Sequence, residues 1–403
     1  MQAMIRRDYL IIGAGTGGAS VCEGIREHDA KGTIMMVGSE TALPYERARL
    51  FSSVLGKTSA APANLPIHDA AWYAKHHIDL RLNTVVTQLN LERHLAVLTH
   101  GQTIEFKKAC LATGSRPRRP QAPGANLGNV FYLRSMGDVE ALREMLEFEK
   151  EIAVIGGGCV AAEIAALLSQ RSKARITLVH RGKHLWARRL DEETGLWLNG
   201  VYAKNGVKLL MGETLNGFEG RTVVRNVQTK SGLRVAANLA IVAIGAEMNN
   251  GLFLNTPLNY PTGTPVNEML ETDEKGIFAV GDLALYPDKI FGGQRRVDHW
   301  GCAAAQGRIA GANMSGKKRI KWEWMPHLTR TVFDLHFDFV GDFSRPSTRF
   351  EIEGDRAKKK FIIRHYNLTV LSGVTLCNQP EAAVEAAKTQ VRDWKREVKR
   401  YES

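Results

Sequence analysis

The chain has 403 residues, 44% of them hydrophobic, and a formal net charge of +12 at pH 7. That length calls for two or three domains, and the apolar share fills their cores. No run approaches the ~20 apolar residues of a membrane-crossing helix, so a helical membrane protein is excluded. The five cysteines, Cys22, Cys110, Cys159, Cys302 and Cys377, form no C-x-x-C or other close pair. This spacing excludes a zinc site or redox dithiol built from neighbouring cysteines and fits a reducing compartment. The first strand begins by Tyr9, which leaves no room for a signal peptide, and a cytoplasmic location is expected.

In chain order, the apolar run Tyr9-Leu10-Ile11-Ile12 reads straight into Gly13-Ala14-Gly15-Thr16-Gly17-Gly18, and helix-compatible sequence follows through Arg26. A buried strand ends there. Gly13 makes the tight turn, Gly15 lets backbone N–H groups approach a pyrophosphate, and Gly18 lets the helix pack on the strand. A second apolar run, Thr33 to Val37, leads to Glu40, 22 residues beyond Gly18, where an acid can accept from ribose hydroxyls. Leu43 to Arg47 then reads as a loop crossing the bound cofactor. Ala71 to His77 reads as a short helix whose His76-His77 end is not expected to bind a metal, and no other metal site is expected. Asp79 to Leu82, Val85-Val86 and His94 to Leu98 read as strands. Ala109 to Gly114 is a strand end of small residues, and Pro117, Pro120 and Pro123 make a linker.

The same device recurs at Ile152-Ala153-Val154-Ile155-Gly156-Gly157-Gly158-Cys159-Val160-Ala161, with Ala161 at the third small position. Two such units imply two dinucleotides, most simply FAD and a nicotinamide cofactor. The following strand, Ile176 to Val179, ends in His180-Arg181-Gly182-Lys183 instead of an acid, a cluster suited to a 2′-phosphate. NADP is therefore expected ahead of NAD. Leu239 to Ile244 closes the unit at Gly245. Gly276 to Asp282 is strand then turn, and His299 to Asn313 is a helix rich in small residues. Phe333 to Phe339 and Lys360 to Arg364 read as strands of a small sheet, and Glu381 to Tyr401 as a helix with Val384, Ala387, Val391, Trp394 and Val398 on its core face. Residues 315–403 hold 18 Lys and Arg against 12 Asp and Glu. A basic face of this kind suits an acidic carrier protein, and no reader module accompanies it that would indicate nucleic acid.

These residues together resemble the two-dinucleotide flavoprotein reductases, in the branch of ferredoxin and rubredoxin reductases, monodehydroascorbate reductase and apoptosis-inducing factor. Leu43-Pro44-Tyr45-Glu46-Arg47, Ala112-Thr113-Gly114-Ser115-Arg116-Pro117, Ala279-Val280-Gly281-Asp282 and Arg295-Arg296-Val297-Asp298-His299 carry the likeness. It implies an α/β fold with two Rossmann-like dinucleotide-binding domains and a C-terminal α+β domain. Residues 1–120 and 246–322 would bind FAD, 121–245 NAD(P)H, and 323–403 would form the third domain. Gly13, Gly15, Gly18, Glu40, Arg47, Val86, Thr113, Gly114, Gly281, Asp282, His299 and Trp300 would line the FAD site. Gly156, Gly158, Ala161, His180, Arg181 and Gly245 would line the nicotinamide nucleotide site, with Glu163 and Cys159 as the candidate catalytic residues.

The implied reaction is hydride transfer from nicotinamide to flavin and delivery of single electrons to an acidic carrier such as a ferredoxin or rubredoxin. A homodimer is compatible with this reading. The alternatives are a redox-responsive binding flavoprotein and a flavoenzyme acting on a small organic acceptor. Three departures stand out, the first being Cys159 in the place usually filled by Phe, Tyr or an aliphatic residue over the nicotinamide pocket. Ser52 takes the place of the family's lysine, whose partner is the acid at Glu163, so that Arg49 or Lys57 would have to serve instead. Thr329 aligns with an aromatic residue that often covers the flavin. Slower hydride transfer and a roomier pocket are the expected consequences.

Overall fold

The computed structural model describes residues 4–55, 65–148, 150–171 and 173–401, with side chains through 393. The described chain divides into two units: residues 4–50, 65–116 and 247–324, and residues 51–55, 117–246 and 325–401.

In the first unit the fully buried run Tyr9 to Ile12 lies in the strand Ile5–Ile12, paired in parallel with Ile34–Val37 on one side and Thr103–Leu111 on the other. Burial on both faces explains why these strands read as continuous apolar runs without alternation. Thr103–Leu111 serves two further neighbours with its two halves. Its start pairs antiparallel with Leu95–Leu98, and its end pairs in parallel with Ile277–Ala279. The chain therefore leaves this sheet after Leu111 and returns to it at Ile277.

Helix Thr16–Arg26 packs on helix Trp300–Met314 through backbone rather than side chains. A Cβ on Gly24 would fall inside van der Waals contact of the Arg308 carbonyl oxygen, and one on Gly311 would strike that of Val21.

The second unit repeats the parallel layer in the order Val207–Met211, Arg175–His180, Glu151–Ile155, Leu239–Val242, Val130–Phe131. It also contains the C-terminal antiparallel sheet, ordered His327–Val332, Leu335–Gly341, Val370–Cys377, Lys360–Asn367, Arg349–Asp355. Helix Glu381–Tyr401 buries Val384, Ala387 and Val391. Trp394 and Val398, expected on the same stripe, lie outside the described side chains.

The C-terminal sheet belongs to this unit because aromatic and charged side chains join it to the parallel layer. Trp186 sits edge-on to Phe337 and Phe339, Tyr202 to Phe333, and Arg356 donates to Thr194 Oγ1 at 2.8 Å and Glu193 Oε1 at 2.7 Å. Phe333 is not in the strand the sequence suggests. Val332 pairs with Leu335, so Phe333 and Asp334 form a two-residue hairpin turn, with Phe333 at a φ of 56°. Such turns need positive φ, which bulky residues rarely announce.

Candidate functional site

In the first unit the glycine turn is built as the spacing requires. Gly13 has a φ of 121°, and a Cβ there would strike the Ala112 carbonyl oxygen. A Cβ on Gly18 would strike the Gly13 carbonyl oxygen. Gly15 differs: nothing lies within 4 Å of where its Cβ would stand. It caps helix Thr16–Arg26, whose first turn carries no acidic side chain. Unsatisfied N–H groups, a helix N-terminus and open space in front of them form a cradle that fits a pyrophosphate.

Glu40 lies just past the next strand and is already oriented. It accepts from the Tyr45 hydroxyl at 2.8 Å and from Arg47 at 2.6 Å. A carboxylate offers about four lone-pair sites and suits ribose hydroxyls as partners. Burial works against the Arg47 charge, but Tyr45, Glu40 and Asp282 more than offset it and raise its pKa. The Gly38–Glu40 turn is tied to the neighbouring backbone by Asn83, whose N–H donates to Glu40, and Thr84, whose N–H donates to Gly38. The expected contact Val86 follows two residues on and is buried.

Thr113 donates from its hydroxyl to the Asn249 carbonyl at 2.8 Å, and Asn249 returns a bond from its amide to the Thr113 carbonyl at 3.0 Å. This exchange fixes the turn at Gly114, whose φ is 66°. Asp282 is buried and accepts from Ser115 Oγ at 2.5 Å, while the Asp282 carbonyl accepts from Arg296 at 2.9 Å. The Gly281 N–H donates to fully buried Gln306 at 2.7 Å.

His299 caps helix Trp300–Met314 by accepting from the Gly301 N–H, and it stacks near Trp324. Trp300, expected at the FAD site, is 44% exposed. Asn249 and Gln306 hold the site and were missed from the sequence, while Ser115 and Arg296 fall in motifs that carried the likeness without a role of their own. The one local sign was Gln306, a polar residue inside a run of small apolar ones.

The second unit has an equivalent cradle. Gly156 has a φ of 135° and abuts the Ala243 carbonyl and the buried Ala161, whereas nothing stands within 4 Å of a Cβ on Gly158 or Gly245. Helix Cys159–Arg171 follows. His180 does not play the cationic part expected of it. Its ring lies against Gly157 and Gly182, and burial, with Arg181 and His184 adding to it, lowers its pKa toward the neutral form. Lys183 sits 3.6 Å from Glu192, and Arg181 and Lys183 are both exposed at this strand end.

Cys159 and Glu163 lie one turn apart on one face of their helix. The Tyr202 hydroxyl is beside them, donating to the Ala162 carbonyl at 2.9 Å. Burial raises the Glu163 carboxyl above the usual carboxylate range, and the Arg330 charge opposes that rise. Of the partners expected for Glu163, Arg49 donates to Glu46 in the first unit, and Lys57 lies outside the described residues. Thr329, aligned with the flavin-covering aromatic, stands on strand His327–Val332. Thr329 pairs with Asp338 and shares its face with His327, which bonds Asp338 at 2.7 Å. The alternation of the strand therefore puts Arg330 on the opposite face, with Phe337 and Phe339.

The described cysteines are all unpaired, and Cys22, Cys110, Cys302 and Cys377 are buried. Burial pushes the thiols of Cys22 and Cys377 up to about 12 and those of Cys110 and Cys302 higher still. Among the described residues no group of three or more His, Cys, Asp and Glu is placed to hold a metal. No described helix is long and apolar enough to cross a membrane.

Comparison with known proteins agrees with this geometry. Residues 7–307 match the family model described as pyridine nucleotide-disulphide oxidoreductase. The benzene 1,2-dioxygenase system ferredoxin–NAD(+) reductase subunit of Pseudomonas putida is 30% identical over 83% of this chain and 81% of its own. The biphenyl dioxygenase system ferredoxin–NAD(+) reductase component of Paraburkholderia xenovorans is 28% identical over 94% of this chain and 90% of its own. Among solved structures, putidaredoxin reductase in its covalent complex with putidaredoxin superposes with a TM-score of 0.89 at 26% identity, covering 96% of this chain and 93% of that one.

Proposed function

The chain belongs to the pyridine nucleotide-disulphide oxidoreductase family, and within it we propose a reductase that takes electrons from a nicotinamide nucleotide and passes them, through FAD, to a ferredoxin- or rubredoxin-class carrier. The observation that carries this reading is the pair of open cradles at Gly15 and Gly158, each facing a helix N-terminus, in a chain whose described cysteines offer no thiol pair. A redox dithiol of its own is thereby left without a second thiol.

Bound FAD supplies the capacity to accept two electrons together and release them singly. The protein binds and orients. The N–H groups at Gly15 take the pyrophosphate, Glu40 the ribose hydroxyls, and Asp282, buried and fixed by Ser115, the remaining sugar-like chain. The cradle at Gly158 takes the nicotinamide nucleotide, with Arg181 at the far ribose and Cys159 and Glu163 beside the reacting end.

Two measurements on the purified protein test this. Denaturation should release FAD, and rapid mixing with NADH or NADPH should bleach the flavin absorbance. An acceptor screen should then show an iron–sulfur carrier reoxidising the protein faster than small quinones or the ascorbate radical. A protein that holds no FAD after reconstitution, or one that reduces only small organic acceptors, would displace this reading.

A further inference from the structure

Glu163 is partly buried, on a helix whose other residues from Cys159 to Leu168 are small or apolar, and it makes no hydrogen bond or ion pair among the described residues. A carboxylate in such a place costs stability when it ionises unless a cation answers it. The cation that opposes its burial is Arg330, on strand His327–Val332, which packs against the same helix within the second unit. Arg330 is itself incompletely satisfied. One terminal nitrogen donates to the Thr329 carbonyl at 2.8 Å, while its Nε is buried without a partner. The strand's alternation faces it toward this helix and not toward the His327–Asp338 side.

We propose that Arg330 is the positioning residue for Glu163. The two close as a charge pair that keeps the carboxylate ionised and ordered, and the guanidinium supplies what Ser52 cannot. The pair is a property of the second unit. Only its consequence for nicotinamide oxidation rests on the function proposed above, so the two ideas can fail separately.

Among the described residues, few groups face Glu163. Cys159 stands one turn before it, Tyr202 approaches from helix Glu192–Lys204, and Arg330 comes from the strand. Residues 51–55, tied to the same helix by the bond from Arg171 to the Val54 carbonyl at 2.7 Å, carry no ionisable side chain. The sign follows from burial. A carboxyl whose folded pKa is raised contributes stability that is lost as pH rises through that pKa. Arg330 reduces the loss, so removing it should make the loss larger.

The test is thermal unfolding of the holoprotein from pH 5 to 8 for wild type, Arg330→Gln, Arg330→Lys, Glu163→Gln and the Glu163→Gln/Arg330→Gln double variant. The deficit of Arg330→Gln is expected to widen as pH rises. Arg330→Lys should recover most of it, and in the Glu163→Gln background the deficit should be flat with pH. The pH profile of flavin reduction should shift upward in Arg330→Gln alone. A deficit that is equal at every pH and persists in the Glu163→Gln background would overturn the proposal and make Arg330 a packing residue. Should Arg330→Gln fail to fold, a pH-dependent difference between Arg330→Lys and wild type that vanishes in the Glu163→Gln background supports the pair, and its absence overturns it.

Discussion

Single residues in the two glycine turns look alike in sequence and do different work, so substitutions should separate them. A side chain on Gly18 collides with backbone and should prevent folding of the first unit, whereas one on Gly15 meets open space, at a φ of −95° that any residue adopts. Gly15→Val is therefore expected to keep its circular dichroism and melting transition while losing FAD, and Gly18→Val to lose both. Flavin retained by a folded Gly15→Val protein would place the pyrophosphate elsewhere. At the second cradle, His180 is turned into the fold, and Arg181 is an exposed cation, beside Lys183, placed to read a 2′-phosphate. A charge-assisted contact is worth roughly 1.5–3 kcal/mol, or about 10- to 150-fold in affinity. Arg181→Ala should lower the NADPH-to-NADH ratio of kcat/KM by a factor in that range. An unchanged ratio would remove Arg181 as the reader of a 2′-phosphate.

Elements show why part of the site was legible and part was not. The cradles were readable because their demands fall on residue types at fixed spacing along one strand–turn–helix segment, as at Gly13, Gly15 and Gly18. The partner of Glu163 was not, because it depends on which way a strand faces. A shift of one residue exchanges the two faces of a strand. The sequence offered Arg49 and Lys57 as partners, whereas the pairing of Thr329 with Asp338 puts Arg330 on the other face of its strand. Ser115, Asn249 and Gln306 escaped for a related reason, since each acts across more than 20 residues of chain on a partner that only the fold brings near. The small residues of helix Trp300–Met314 were legible as a packing face, and the structure names the cost of altering it. Gly311→Val would push a side chain into the Val21 carbonyl and Ile25. Overpacking of this kind typically costs about 1–3 kcal/mol. Thermal unfolding should show a loss of that order or more, with weakened FAD retention, because this helix also carries Gln306 and begins at the His299 cap. An undiminished transition would mean that the two helices can part without penalty.

For the whole molecule, the net charge of +12 leads to a rate prediction. Exposed cations occur on both units: Lys317, Lys318 and Arg319 on the first, and Lys358 and Lys360 on the second. The Lys359 between that last pair is occupied by Asp334 at 2.5 Å. A surface with this sign steers an acidic partner into encounter, raising association rates by about 10- to 1,000-fold at low ionic strength. Screening removes the effect beyond a Debye length of ~10 Å at 0.1 M salt. Reduction of an acidic iron–sulfur carrier should therefore slow steeply as sodium chloride rises, while reduction of the flavin by nicotinamide nucleotide, measured alone, changes far less. Replacing Lys317, Lys318 and Arg319 together by glutamate should raise KM for the carrier and flatten the salt dependence, with the rate of flavin reduction preserved. The corresponding replacement of Lys358 and Lys360 distinguishes docking on the second unit. If neither set moves KM, the excess charge is a general solubilising surface and the carrier is held by apolar contacts, which would instead leave its reduction nearly indifferent to salt.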